Sequence, residues 1–187
     1  SINSEDDPIE SFCKNNQIFC FRGDELDVMK RFIDAAELYK AKSIARITGD
    51  NPLTDPEMLL HMFEMHKRNG AEYTYNEDMP IGTRAEIIDD DALKRMHKEL
   101  YDPNNSEYMT YMLKRPDKIN TLNVPSLIRK CSRPEISLTV DCEEDLQCLN
   151  HIYKFYEGNP PSLEKIIAFL DKNPNIKITI NQESHKI

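Results

Sequence analysis

Short extended-type apolar runs alternate with stretches whose apolar residues recur every three or four positions, and this alternation limits the chain to one class of fold. SIARIT (43–48), AEYTYN (71–76), RAEII (84–88), KINTLNV (118–124) and SLTV (137–140) read as strands or extended segments, with SIARIT a buried strand. Helices are predicted between them. DDPIESFCKNN has Asp6 or Asp7 as a cap, Pro8 in the first turn and an apolar stripe of Ile9, Phe12 and Cys13. A second helix is predicted over 25–40, on Leu26, Met29, Ile33, Ala36 and Leu38. A third opens at Asp55 and Pro56 and stops at Gly70. DDALKRMHKELY, NNSEYMTYMLKRP, EEDLQCLNHIYKFYEG and SLEKIIAFLDKNP complete the set, the last capped by Ser162. Strands alternating with helices give an α/β fold, a three-layer αβα arrangement with a mostly parallel mixed sheet. No internal repeat interrupts it, so residues 1–187 are expected to form a single domain.

Charge narrows the partners. The 33 acidic residues outnumber the 24 basic ones, for a net charge of −9. That disfavours nucleic acid and anionic membrane, yet permits a phosphate-bearing small molecule neutralised locally by a metal ion and a few arginines. The acidic start, SINSEDDPIE, carries no leader pattern, and no apolar stretch is long enough to span a bilayer. Five cysteines with no CxxC pair fit reduced thiols and a cytoplasmic location.

Ligands of open α/β sheets bind beyond the carboxyl ends of the strands. Two carboxylates are expected there: Asp50 after SIARIT and Asp141 after SLTV. On neighbouring strands they could share one hard cation such as Mg2+, which takes few carboxylates and completes its shell with water and phosphate oxygens. Gly49 would let the backbone approach such a ligand. The alternative is structural: each aspartate could simply cap the helix that follows.

Four blocks, FRGDELDVMKRFIDAA, ARITGDNPLTDPE, GTRAEII and LTVDCEEDL, occur in this order and together resemble the cytidylyltransferases that activate sugar acids. The likeness runs to the spore coat polysaccharide biosynthesis protein F group and to the acylneuraminate and 3-deoxy-manno-octulosonate enzymes. It implies a nucleotide-diphospho-sugar transferase fold and CTP-dependent activation of a sugar or sugar acid as a CMP-sugar for surface polysaccharide. It also implies Mg2+ carried by Asp50 and Asp141 as catalytic residues, and a possible homodimer. Arg22 and Arg46, with Gly49, are candidates for the nucleotide side, although Arg22 could equally bond a loop carbonyl and Arg46 a strand-edge acid. Gly82, Arg84, Glu86 and Tyr108 are candidates for the substrate side.

The residues given also depart from the family. Its opening phosphate loop, of the form ARxGSxRLPGK, has no counterpart here. An N-terminally incomplete domain is therefore expected, with poor or no catalysis from residues 1–187 without that loop, and with a non-catalytic homologue serving nucleotide-sugar binding or assembly as the alternative. SEYMT stands where the family often has REHVT, which puts Ser106 and Tyr108 at an arginine and a histidine. Ser137 replaces an arginine that commonly precedes LTVD.

Overall fold

The computed structural model describes residues 1–102, 104, 106, 109–158, 161–174 and 176. The elements run α1 (Asp7–Asn15), α2 (Val28–Tyr39), β1 (Ser43–Arg46), α3 (Pro56–Asn69), β2 (Tyr73–Tyr75), β3 (Glu86–Asp89), α4 (Asp90–Lys98), α5 (Met109–Leu113), β4 (Thr121–Asn123), α6 (Glu143–Phe155) and α7 (Leu163–Lys172). The strands form a four-stranded sheet in the order β1-β3-β2-β4. β1 is therefore an edge strand among the described residues, and it is half-buried where a buried strand was expected. By its contacts the chain divides into two compact units, Ser1–Ile44 with Ile88–Thr121, and Ala45–Ile87 with Leu122–Ile187.

The first unit is organised by polar groups. α1 buries none of its residues, and Ile9 and Phe12 of its apolar stripe stay exposed. What holds it is Arg22, whose guanidinium donates to the carbonyls of Ser1 and Asn3 and to the carboxylates of Asp7 and Glu10. α2 starts at Val28, three residues later than the sequence pattern suggests. The buried Asp27 sets that start, because its carboxylate accepts from the backbone N–H of Lys30 as an N-cap. The same carboxylate takes the Ser106 hydroxyl at 3.2 Å and His97 Nε2 at 2.7 Å. Ser106 Oγ in turn accepts from Met29 N at 3.0 Å, so a fully buried hydroxyl is satisfied on both sides.

The second unit holds the larger apolar core. Met58 and Met62 from α3, Ile152 from α6, and Ile166, Ile167 and Leu170 from α7 are buried in it with Ile87 of β3. The methionine-rich face of α3 is thus core packing, its flexible thioethers filling the space under the sheet. α3 has the ends expected for it. Asp55 accepts from Glu57 N and Met58 N, Pro56 fills the first turn, and Gly70 closes the helix in the left-handed region at φ 57°. His66, on the same helix, is fully buried and hydrogen-bonds Thr74 through Nδ1 at 2.8 Å. SLTV does not form a regular strand. Its backbone pairs with loops instead, through one parallel bridge from Ser137 to Ile81.

Candidate functional site

Three loops of the second unit are joined by their backbones. After β1 the chain turns through Thr48–Asn51, with Asn51 N donating to Thr48 O at 3.0 Å. The Asp50 carbonyl then accepts from Val140 N at 2.9 Å, which places the Asp50 turn directly against the residue that precedes Asp141. The third loop comes from residues 79–84. Ile81 N donates to Ile136 O at 2.9 Å, and Leu138 N donates to Ile81 O at 2.7 Å.

Gly82 explains how that third loop comes so close. It sits at φ 88°, and a Cβ built on it would lie 2.3 Å from Thr139 N and 2.4 Å from the Leu138 carbonyl carbon. Glycine is required there twice over, once for the backbone conformation and once for the backbone contact. Gly49 differs: a Cβ there would meet nothing within 4 Å, so the backbone beside Asp50 faces open space.

The carboxylates of Asp50 and Asp141 are unspent. Both residues are exposed, and neither carboxylate has a hydrogen-bond partner among the described residues. The capping alternative for Asp141 is not realised. Cys142 is the N-cap of α6, and the Asp145 carboxylate accepts from the backbone N–H groups of Asp141 and Cys142. Capping the helix after Asp50 likewise falls to Asp55.

Next to Asp50, Asn51 donates through Nδ2 to Thr48 Oγ1 at 2.7 Å, while its buried Oδ1 lacks any partner among the described residues. Asn51 is the residue that the sequence pattern passed over. Its only signal there was its position between Asp50 and Pro52. Among the described residues no three or more His, Cys, Asp or Glu side chains gather as a metal site. Two hard carboxylate oxygens on adjoining loops suit Mg2+, which draws its remaining ligands from water and phosphate.

The other candidates divide. Arg84 belongs to the third loop, half-buried, with Nε and Nη2 both donating to Met79 O at 2.8 and 2.6 Å. Burial pulls its guanidinium below the usual arginine value, against the opposing charges of Glu77 and Asp78. Glu86 and Arg46 are drawn together. They form an ion pair at 2.7 Å between β3 and β1, and Glu86 also accepts from the buried Tyr73 hydroxyl at 2.5 Å. Arg46 therefore takes the strand-edge ion pair of its two readings, and Glu86 faces its neighbours in the sheet. Arg22, in the first unit, takes the loop-carbonyl reading, tied to the N-terminal segment as described above. Tyr108 lies outside the described residues.

A cytidylyltransferase family profile matches residues 1–183. An uncharacterised protein of Methanocaldococcus jannaschii is 32% identical over 192 residues, covering 100% of this chain and 78% of its own. The spore coat polysaccharide biosynthesis protein SpsF of Bacillus subtilis is 31% identical over 175 residues, covering 91% of this chain and 72% of its own. Among solved structures, a cytidylyltransferase from Leptospira borgpetersenii serovar Hardjo-bovis superposes with a TM-score of 0.85 at 25% identity, over 100% of this chain and 79% of that one.

Proposed function

The chain belongs to the cytidylyltransferase family and has its α/β nucleotidyltransferase-like fold, and from that premise we propose that it transfers CMP from CTP to a sugar or sugar acid for surface polysaccharide, with Asp50 and Asp141 holding Mg2+. The observation that carries the reading is the Val140 N to Asp50 O hydrogen bond, which draws two unspent carboxylates into one loop cluster. The relation to SpsF, whose name places that protein in spore coat polysaccharide biosynthesis, supports the acceptor class.

The reaction joins an acceptor hydroxyl oxygen to the α-phosphorus of CTP and breaks the bond from that phosphorus to the β-phosphate, releasing pyrophosphate. Mg2+, when bound, would offset triphosphate charge and polarise the α-phosphate. Asp50 and Asp141 supply the negative charge that holds the ion. Their usefulness follows from having no competing partner, since a carboxylate already bonded to an arginine or a helix end would have to give up that contact first. Gly49 keeps the surface beside Asp50 clear of side-chain atoms. Arg84 brings a positive charge to the loop fastened onto the Leu138–Thr139 backbone.

The test uses the full-length protein with CTP, Mg2+ and a panel of neutral sugars, amino sugars and sugar acids, reading pyrophosphate release. Release with CTP and at least one acceptor, abolished in Asp50→Asn, is the expected result. Failure to release pyrophosphate with every acceptor would sink the proposed transfer.

A further inference from the structure

Residues 18–22 link the end of α1 to the loop before α2, and their backbone is open. Ile18 N donates to Cys13 O at 2.9 Å, which hangs the segment from the last turn of α1. Beyond it, no hydrogen bond reaches the backbone of Phe19, Cys20 or Phe21 from any described residue. The side chains are as open as the backbone. Phe19 is 89% exposed and meets Tyr39 of α2 edge to face, with 6.0 Å between ring centroids. Ile9 and Phe12 of α1, Ile18, and Leu38 and Tyr39 of α2 are each at least half exposed. Single exposed apolar side chains are ordinary, but a group of them around an unpaired backbone makes an interaction surface.

We propose that residues 18–22 are a self-association edge: two copies of the chain pair these residues as antiparallel strands across a two-fold axis, and the apolar side chains around them close the contact. Side chains alternate along an extended segment, so Ile18 and Cys20 face one way and Phe19 and Phe21 the other. A strand that enters beside them, against the apolar residues of α1 and α2, must be apolar on both faces. IFCF is itself such a run, with no charge, glycine or proline in it. The surface therefore complements its own copy, as an isologous contact requires.

Area and charge both favour this occupant. A fully buried aromatic side chain removes roughly 150–250 Å2 from water. Phe12, Phe19 and Tyr39, with the aliphatic Ile9, Ile18 and Leu38, thus approach the about 800 Å2 per partner that a stable interface takes. The chain carries a net charge of −9, yet residues 17–22 contain no carboxylate to oppose its equivalent across the two-fold. Arg22, at the end of the segment, is already paired with Asp7 and Glu10 of its own chain.

The experiment follows residues 1–187 by sedimentation velocity over a wide concentration range, with amide hydrogen exchange read at residues 18–22. Expected is a dimer whose amides at 19–21 exchange slowly, and exchange fast once dilution gives monomer. Phe19→Lys charges the apolar surface, and Cys20→Pro removes a backbone donor from the pairing strand. Each should raise the dimer dissociation constant about 30-fold or more while the far-UV circular dichroism of the parent is kept. Leu60→Lys, at another exposed apolar position on α3, should leave the dimer intact. A monomer at every concentration overturns the proposal, and slow exchange at 19–21 in that monomer would show the segment covered from within the chain. A dimer unchanged by Phe19→Lys and Cys20→Pro, or growth into open aggregates, overturns it equally.

Discussion

Val140 donates its backbone N–H to the carbonyl of Asp50 across 2.9 Å, and this single bond joins the two loops that carry Asp50 and Asp141. Since the contact is between main-chain atoms, it survives substitution of either carboxylate. Asp50→Asn and Asp141→Asn are therefore expected to lower turnover roughly 100-fold or more. Each should leave unfolding free energy within about 0.5 kcal/mol of the parent, as for exposed residues without partners. Pyrophosphate release and urea unfolding on the same preparations check both halves. A stability loss matching the activity loss would make these aspartates structural.

Gly82 and Gly49 give opposite expectations for the same substitution. Gly82→Ala must place a Cβ inside the Leu138–Thr139 backbone at a positive φ, and should cost about 3 kcal/mol. Gly49→Ala meets no atom and should change stability by less than about 0.5 kcal/mol. Thermal or denaturant unfolding of the two variants decides it. Equal losses would show that the packing of the Gly82 loop is not what demands glycine.

Breaking the Arg46–Glu86 pair should hurt folding more than a surface ion pair would. Only 17% and 11% of these side chains are exposed, and Tyr73 also donates to Glu86. Arg46→Ala leaves Glu86 charged and poorly compensated, at a cost of about 3 kcal/mol. Arg46→Met with Glu86→Gln should recover much of that loss, because the second change removes the stranded charge. A double-mutant cycle in urea measures the coupling.

Acid should act on Asp24 through its backbone contacts. Its carboxylate accepts from Asp27 N at 2.8 Å and Leu26 N at 2.9 Å, and these bonds, Asp27 first, hold it below the ordinary aspartate value of 3.8. A carboxylate with a depressed folded value stabilises above its unfolded value, and the contribution is lost as pH falls through the folded one. The urea midpoints of the parent and Asp24→Asn should therefore differ near neutral pH and converge below about pH 3.8. Curves that stay parallel down the acid limb would remove Asp24 from the account.

Much of the fold was legible because helix ends are local. Asp55, Pro56 and Gly70 bound α3 by contacts within a few residues, and α6 and α7 were read from their helical pattern with Gly158 after the one and Ser162 before the other. The start of α2 was misplaced because its cap, Asp27, is chosen by Ser106 and His97, some 70 residues or more away. SLTV has strand composition, yet its partners are the turns at Ile81 and Asp50, and composition cannot name partners. The same limit applies to the site. Asp50 and Asp141 stood out by position, whereas the spending of Glu86 on Arg46 depends on strand order, and the orphaned oxygen of Asn51 depends on burial.

The way the three loops are joined separates two evolutionary freedoms. The positions of Asp50 and Asp141 are fixed by peptide groups and one glycine, none of which uses the side chain of Ser137 or Thr139. Those side chains can be exchanged without disturbing the frame. A lineage could thus vary these two side chains repeatedly while inheriting the acidic pair intact, and a designer could randomise positions 137 and 139 on the same footing.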